Sequence, residues 1–384
     1  AATYAIEVGY QVAVMAPTEI LAEQHAYNLS SWLAPLGIEV LSLLGRLSGK
    51  ARTRVLEAIA CERPLVVVGT HALFQEDIRF GDLGLVVIDE QHRFGVHQRL
   101  ALREKGARGN RRPHQLVMTA TPIPRTLAQT VYADLDVSII DELPPGREPV
   151  ETVVLPATRR ADVVQRIRNA CVEGRQAYWV CPLIDESDHL QLQTATDTHA
   201  QLHEALPALR VSLVHGRMKP GARDVVMAAF KAGDIDLLVA TTVIEVGVDV
   251  ANASLMIIEN AERLGLSQLH QLRGRIGRGA AKGSCVLLYR PPLATQARER
   301  LAVMRRTNDG FEIARHDLQM RGPGELLGIR QTGIEHLRIA DLVRDQALLA
   351  RVQRAANMLL EKYPESVDAV ISRWLRQADD YAHV

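Results

Sequence analysis

The chain has 384 residues, of which 47% are hydrophobic and 23% charged, a composition typical of a globular protein with two or three domains. Basic and acidic residues number 45 each, which argues against binding polyanions over the whole surface but allows a local basic groove. No apolar run of about 18 residues and no signal-peptide pattern occurs, so neither a membrane span nor export is predicted. The four cysteines form no C-x-x-C pair, which fits a reducing cytoplasm without a zinc ribbon or disulfide framework.

The first third of the chain alternates apolar strand-like segments with helix-like segments. This rhythm predicts a parallel sheet covered by helices. Residues 1–8 read as the end of a helix. Strands are predicted at 11–16, 39–44, 65–69, 83–88 and 115–119, with helices at 19–33 and 50–60.

Residues 141–160 are rich in proline and predict a linker, after which the rhythm restarts. Helices are predicted at 160–173, 189–205 and 219–232, and strands at 176–181, 210–214, 236–240, 254–258 and 284–288. Beyond Pro291 only helices are expected, at 295–306, 310–320, 340–361 and 365–378, around a glycine-rich stretch at 321–328. We therefore predict two α/β domains with a cleft between them, residues 1–143 and 144–290, and a helical region, residues 291–384.

Two adjacent carboxylates, Asp89 and Glu90, follow the apolar run at 83–88. Ligands of open α/β sheets bind at the carboxyl ends of strands. Asp89 can hold Mg²⁺, usually through water, and Glu90 can orient an attacking water. A strand that ends in Asp-Glu is common by chance, so this pair alone only suggests a nucleotide site.

The run Gln271-Leu272-Arg273-Gly274-Arg275-Ile276-Gly277-Arg278 carries the most specific spacing. Arg275 and Arg278 are three residues apart and are expected near one face of a helical turn. Guanidinium groups aimed at a transferring phosphate stabilise its charge. The alternative, a basic turn paired with surface carboxylates, fits this spacing poorly.

Short hydroxyl residues follow other predicted strands. Thr241 and Thr242 open the run that ends at Asp249, a candidate for a ribose hydroxyl, while Thr119 and Thr121 end a strand of the first domain. The pairs Pro17-Thr18 and Thr70-His71 each precede a predicted helix, whose free amides favour phosphate. Ordinary helix capping by Thr18 and Thr70 is the open alternative.

Taken in this order, the runs resemble the motor of superfamily 2 helicases. Pro17-Thr18 and Thr70-His71 match its DNA-contacting motifs Ia and Ib, and residues 89–92 match motif II, the DExH box. Residues 119–121, 241–249 and 271–278 match motifs III, V and VI. The resemblance implies two RecA-like domains, the cofactors ATP and Mg²⁺, and DNA as partner.

The resemblance narrows to the RecG family on three segments, residues 89–99, residues 121–127, and the tail with its glycine-rich loop at 321–333. That tail resembles the translocation motif shared with Mfd, the transcription-repair coupling factor, which is the alternative family. The RecG resemblance implies an ATP-dependent 3′-to-5′ helicase that remodels stalled forks and Holliday junctions in DNA repair and recombination. It also implies a cytoplasmic, nucleoid-associated bacterial protein, monomeric, with single-strand-binding protein as a further partner.

The resemblance also implies roles for individual residues. Asp89, Glu90, His92, Arg275 and Arg278 are expected to be catalytic, and Gln271, Gly247 and Asp249 to contact the nucleotide. Thr119, Thr121, Arg315, Arg321 and Gln331 are expected to couple ATP hydrolysis to movement along DNA.

The phosphate-binding loop of such motors, G-x-x-x-x-G-K-[ST], is absent from the sequence. The run Gly45 to Ala51 is one residue short and carries Ala51 in place of the hydroxyl residue. The chain therefore resembles the carboxy-terminal part of a longer protein that also has a wedge domain, and alone it is expected to lack ATPase activity. It then has a second interpretation, a DNA-binding module without hydrolysis. The loss of a central strand is expected to make the first domain the less stable one.

Overall fold

The structure is a computed structural model that describes residues 1–45, 47–75, 77–90, 94, 105–106, 111–119, 136–144, 146–182, 188–245, 250–279, 281–321, 345 and 348–374. These residues divide into two compact units, the first within residues 1–120 and the second within residues 121–375. Each unit is built on its own parallel sheet. None of the described helices is long and apolar enough to cross a bilayer.

The first unit has five parallel strands in the order β2-β3-β1-β4-β5. β1 and β3 are buried at every residue, as expected for central strands covered on both faces. The strands are β1 (Gln11–Met15), β2 (Val40–Leu43), β3 (Val66–Gly69), β4 (Leu83–Ile88) and β5 (His114–Val117), and the helices are α1 (Ala2–Glu7), α2 (Glu19–Leu33) and α3 (Gly49–Ala60).

β5 is the last strand of the order and is much less covered than the others. Its residues alternate between exposed and half-buried, Leu116 is 42% exposed, and Met118 just beyond it is 37% exposed. Every neighbouring pair of strands from β2 to β5 is hydrogen-bonded, so this sheet has no gap for a missing central strand. The expectation of a lost central strand stays a prediction, and among the described strands the less covered end of the order is β5.

The second unit has six parallel strands in the order β6-β11-β10-β7-β9-β8. The strands are β6 (Glu151–Pro156), β7 (Gln176–Val180), β8 (Val211–Val214), β9 (Leu237–Ala240), β10 (Ala253–Ile258) and β11 (Ser284–Tyr289). The helices that accompany them are α4 (Arg160–Val172), α5 (Asp188–Ala205), α6 (Pro220–Ala232), α7 (Leu266–Arg273), α8 (Thr295–Arg306) and α9 (Gly310–Arg321).

Both faces of the second sheet are covered. Alternate residues of β7 show this, because Trp179 packs with α4 and α5 while Tyr178 packs with Phe230 of α6 and with α7 to α9. The rings of Tyr178 and Phe230 meet edge to face with centroids 4.9 Å apart. Beyond this core, α10 (Leu349–Lys362) and α11 (Val367–Trp374) follow where helices are predicted, and residues 375–378 of the last predicted helix lie outside the described residues.

β6 corrects the predicted linker, because residues 151–156 form a strand in register with β11. Two prolines, Pro149 and Pro156, suggested a break in regular structure. Proline is tolerated at the ends of edge strands, where fewer backbone N–H groups are needed for the ladder, and β6 is such an edge.

The two sheets share one strand order. The order β2-β3-β1-β4-β5 of the first matches β8-β9-β7-β10-β11 of the second, and β6 occupies a sixth position beyond β11. The match extends to a buried glutamine at the first residue of the central strand. Gln11 donates to the carbonyls of Ile59 and Cys61 around the end of α3, and Gln176 donates to those of Phe230 and Ile235 around the end of α6.

Candidate functional site

The predicted residues of the first unit share one edge of its sheet. Because β3, β1, β4 and β5 are adjacent and parallel, the residues that follow them lie side by side at their carboxyl ends. Thr70, Thr18, Asp89 and Thr119 follow these four strands in that order. Neighbouring strands are about 4.8 Å apart, so three hydroxyl groups and a carboxylate lie along roughly 15 Å.

Asp89 is held at three points. Its backbone N–H donates to the Met15 carbonyl at 2.9 Å, and its Oδ1 accepts the Glu90 N–H at 2.9 Å. His25 Nε2 lies 2.7 Å from Asp89 Oδ2. His25, on α2, was not predicted from the sequence. The sequence offers one signal for it, namely that His25 lies within the first two turns of α2, the helix that follows Thr18.

Glu90 adopts a left-handed backbone with φ of 52°, which is uncommon for residues other than glycine. Backbone strain of this kind concentrates at functional sites. The chain therefore turns sharply immediately after the Asp89 carboxylate, and both carboxylates lie at the end of β4.

The two threonine sites differ. The Thr18 hydroxyl accepts the N–H of Leu21 at 3.4 Å and so caps α2, as the capping alternative predicts. Thr70 is 2% exposed, its hydroxyl has no hydrogen-bond partner among the described residues, and a short 3₁₀ turn, His71–Phe74, follows it. The prediction of an α-helix after Thr70 is therefore wrong, while His71 is exposed and Pro17 half-buried at the same edge.

The donor set of this edge fits Mg²⁺. Mg²⁺ in phosphate-transfer sites is held by one or two carboxylates and keeps several waters and phosphate oxygens. Within the described ranges no group of three or more His, Cys, Asp or Glu side chains could hold a metal, which excludes a dedicated protein cage there. Asp89 is the carboxylate best placed to hold the ion.

In the second unit, Thr241 and Thr242 follow the carboxyl end of β9. The Thr241 N–H donates to the Val214 carbonyl at 3.3 Å, and both side chains are half-buried. Thr242 begins a short 3₁₀ turn that ends at Glu245. Their hydroxyl groups are thus presented at the carboxyl edge of this sheet.

Arg275 and Arg278 lie at the opposite edge. α7 ends at Arg273, and the Gly277 N–H reaches the Ala253 carbonyl at the amino end of β10 at 3.4 Å. A Cβ atom on Gly279 would come 2.2 Å from the Ala251 carbonyl oxygen, so the backbone passes close to that edge. The predicted site residues of the second unit therefore occupy both ends of its sheet.

Gly277 also corrects the expected geometry of the two arginines. Its φ of 69° is left-handed, so the helical turn does not continue and Arg275 and Arg278 do not share one helix face. Arg278 instead folds back, with its Nε donating to the Gly274 carbonyl at 3.2 Å. Gln271 and Arg275 are half-buried, and Arg278 is exposed.

Arg273 lies between the predicted residues Gln271 and Arg275, and its side chain makes contacts within the protein. It is 2% exposed and donates to the carbonyls of Met304 and Thr307 at 2.8 and 2.9 Å. His270 lies beside it, and burial, followed by the Arg273 and Arg147 charges, lowers the His270 pKa to about 4. α7 therefore ties the predicted phosphate arginines to the end of α8.

Two further contacts join the α8–α9 hairpin to the second sheet. The Ser267 hydroxyl donates to Asp317 of α9 at 2.7 Å, and Arg300 of α8 donates to the Glu262 carbonyl at 2.7 Å. Neither Arg300 nor Asp317 was predicted to matter. The predicted Arg315 is exposed on α9, so its coupling role stays a prediction.

Other predicted residues fall in parts of the chain outside the described residues. These are His92, Thr121, Gly247, Asp249 and Gln331, together with the side chain of Arg321.

Three family models match the chain in succession. Residues 1–130 match "DEAD/DEAH box helicase", residues 161–280 match "Helicase conserved C-terminal domain", and residues 307–378 match "ATP-dependent DNA helicase RecG, domain 3, C-terminal". The first two models correspond to the two α/β units, and the third covers the helical tail.

Curated relatives extend the match over the whole chain. The ATP-dependent DNA helicase RecG of Escherichia coli K12 is 62% identical over 384 residues, and that of Haemophilus influenzae is 61% identical. Both alignments cover 100% of this chain and 55% of the relative. The chain thus spans about half the length of the curated relatives it matches.

A solved structure of RecG bound to a three-way DNA junction is 42% identical, with a TM-score of 0.68 over 89% of this chain and 44% of that one. The Saccharomyces cerevisiae protein Dbp5 bound to RNA and ADP BeF3 is 16% identical with a TM-score of 0.56, over 79% of this chain and 75% of that one, and shows a shared fold alone. Both predicted α/β domains are therefore RecA-like helicase domains. The chain belongs to the RecG family of superfamily 2 DNA helicases.

Proposed function

We propose that this chain is the motor of an ATP-dependent DNA helicase that translocates 3′ to 5′ and remodels forks and Holliday junctions in repair and recombination. One observation carries the proposal. Asp89, Glu90, Thr18, Thr70 and Thr119 share the carboxyl edge of one parallel sheet, in a chain 62% identical to a RecG helicase. A related RecG was solved bound to a three-way DNA junction, which supports branched DNA as the substrate.

In this proposal the residues at the ends of the two sheets have distinct roles. Asp89 would hold Mg²⁺ and Glu90 would orient the attacking water, while Arg275 and Arg278 would stabilise charge on the γ-phosphate. Asp249, Gly247 and Gln271 contact the nucleotide. The hydroxyl groups of Thr18, Thr70, Thr241 and Thr242, with Pro17 and His71, contact the DNA backbone, and such contacts position the DNA without reading its sequence.

ATP, when bound with Mg²⁺, supplies the phosphoanhydride bond whose hydrolysis drives movement. The coupling residues would be His92, Thr119, Thr121, Arg315, Arg321 and Gln331. The contacts of α7 with α8 and α9 support this division, because they connect the segment that carries Arg275 to the helical tail.

A second candidate function applies to the chain by itself, that of a DNA-binding module without ATP hydrolysis. The absence of the motif G-x-x-x-x-G-K-[ST] from the sequence favours it. The nearest run, Gly45 to Ala51, follows β2, which is separated from β4 and Asp89 by β3 and β1. That run therefore lies too far along the sheet edge to hold a phosphate beside Asp89.

Replacement of Glu90 tests the proposed activity in a longer protein that carries this chain behind a phosphate-binding loop. Glu90→Gln keeps the shape but loses the basic carboxylate, and we expect DNA-stimulated ATPase to fall by about 10²–10⁴-fold. Steady-state ATPase assays with branched DNA measure the change, and Glu57→Gln on the exposed face of α3 is the matched control. Activity that survives Glu90→Gln would show that Glu90 has another role.

A further inference from the structure

A polar cavity of about 390 Å³ lies within the second unit, at the carboxyl ends of β6, β10 and β11 and against α5. It is far along the sheet from Arg275 and Arg278, which lie at the amino end of β10. Eight of its lining residues carry hydrogen-bonding or charged groups, namely Arg160, Thr194, Asp197, Thr198, Gln201, Glu259, Asn260 and Arg290.

Asn260 is the best indication that the cavity takes a ligand. The residue is 6% exposed, yet its side-chain amide makes no hydrogen bond to any residue in the described part of the chain. Its amide atoms are not fully enclosed by protein, so the amide of this buried residue is open to the cavity that it lines. Its backbone is also left-handed, with φ of 47°, so the chain turns sharply after the end of β10.

Two other groups at the cavity belong to exposed residues and are open to solvent. Neither the Arg290 guanidinium nor the Gln201 amide has a hydrogen bond or ion pair among the described residues. Arg160, in contrast, is fixed, because its Nε donates to Glu259 at 2.7 Å and its guanidinium carbon lies 5.0 Å from the centre of the Trp179 ring. The cavity therefore combines a rigid wall with solvent-accessible donors and acceptors.

The charges of the lining indicate what kind of ligand fits. Arg160 and Arg290 balance Glu259 and Asp197, so the carboxylates disfavour a phosphate group and the guanidinium groups disfavour a cation. A neutral, planar group with donors and acceptors on its edges matches such a lining. Asn and Gln amides pair with base edges, and guanidinium planes stack on bases, in the recognition of unstacked nucleotides.

We infer that this cavity accepts one unstacked nucleobase of a bound single strand. The inference rests on the proposed DNA function and adds a site to it. The cavity lies at the same sheet edge as Thr241, and β10 is two strands, roughly 10 Å, from β9. A strand held at Thr241 by its backbone can therefore turn one base towards Asn260.

Affinity measurements with the full chain and oligothymidine test the inference. Each nucleotide in turn is replaced by an abasic residue, and the one position whose base fills the cavity should lose roughly 5- to 100-fold in affinity. Asn260→Gly keeps the left-handed backbone and removes the amide, and Arg290→Gln removes the charge. Both variants should bring the base-to-abasic ratio close to one without changing affinity for the abasic strand, whereas Arg298→Gln on exposed α8 should leave the ratio unchanged.

The outcomes separate this inference from the proposed function. Failure of the unaltered chain to bind any DNA would overturn both. Binding in which no position prefers a base, or a preference that survives both variants, would overturn the cavity alone. If neither variant folds, 4-thiothymidine cross-linking of the unaltered chain decides, because attachment must map to peptides with Gln201, Asn260 or Arg290, and attachment elsewhere refutes the inference.

Discussion

The Asp89 carboxylate has a partner on each oxygen, the Glu90 N–H on one and His25 on the other. These contacts fix how the carboxylate presents its remaining lone pairs to an incoming ion. Residues that orient a metal ligand in this way contribute to affinity without touching the metal.

His25→Ala should therefore weaken the affinity for Mg²⁺ in a longer protein that carries this chain behind a phosphate-binding loop. We expect a roughly 10- to 100-fold higher half-saturating Mg²⁺ concentration, typical for lost orienting groups, with unchanged affinity for DNA. Mg²⁺ titration of ATPase activity and direct Mn²⁺ binding measure it. His25→Gln should restore part of the effect because its amide can donate, and His203→Gln on exposed α5 is the control. Equal Mn²⁺ affinity in His25→Ala would refute the orienting role.

His270 makes the second unit sensitive to acid. Its pKa is lowered to about 4, mainly by burial, whereas an unfolded histidine titrates near 6.5. Between these values the unfolded state binds the extra proton, so stability is full above about pH 6.5 and falls as the pH drops towards 4. The loss amounts to roughly 3 kcal/mol over this window.

Urea unfolding at several pH values checks this expectation, followed by the fluorescence of Trp179, which is buried in the second unit. The other two tryptophans are replaced by phenylalanine so that the signal reports this unit alone. His270→Gln should flatten the dependence between pH 6.5 and 4. An unchanged slope would assign the acid sensitivity to other groups.

Among the elements, α7 has two roles on two faces. Leu266, Leu269 and Leu272 are fully buried in the core, while Ser267 and Arg273 bind α9 and the end of α8. We expect such a helix to transmit a displacement of the following arginines to the hairpin, because buried contacts cannot slide freely.

Arg273→Met should weaken the contact between α7 and the end of α8. Loss of the guanidinium leaves the Met304 and Thr307 carbonyls without their donor, at a cost of roughly 1–3 kcal/mol in unfolding free energy. Denaturant unfolding of the second unit measures the cost, and Arg298→Met at an exposed position of α8 should change stability by less than about 0.5 kcal/mol. In the longer protein we expect fork unwinding to fall more than ATPase, whereas a parallel fall would argue against a coupling role.

Most elements were predictable from the sequence to within one or two residues. Periodicity of apolar residues determines such elements, and β1, α2 and α8 agree with the predicted bounds almost residue for residue. β6 was missed because prolines at its ends resemble a linker, and an edge strand tolerates them. The motif residues were predictable because their order along the chain is distinctive.

The contacts that position those motifs were not predictable. His25 and Asp89 are 64 residues apart, and Arg273 and Met304 are 31 apart, so no local pattern joins them. Gly277 illustrates the same limit at short range. The three-residue spacing of Arg275 and Arg278 suggested a helical turn. The left-handed backbone of Gly277 ends that turn, and Arg278 folds back to the Gly274 carbonyl.

At the scale of the whole molecule, the two units differ in how completely their sheets are covered. The second sheet closes with β6 beyond β11, while the first ends at β5, where Leu116 and Met118 are substantially exposed. Each apolar side chain left half in water forgoes about 1 kcal/mol of burial.

The first unit should therefore open more readily than the second. We expect backbone amides of β1 and β3 to exchange at least about tenfold faster than those of β7 and β10, which corresponds to ~1.4 kcal/mol. Hydrogen exchange with mass spectrometry resolves the two sets in one sample, so each serves as the control for the other. Equal protection of both sets would contradict this expectation.

The shared strand order has a consequence for reassembly from separate pieces. In the second sheet the sixth strand is β6, parallel to β11 and preceding β7 in the chain. By the same arrangement, a sixth strand of the first sheet would dock in trans along β5, parallel to it and on its open side. We therefore expect a separately produced polypeptide that supplies such a strand to join the sheet next to Thr119 without covalent continuity.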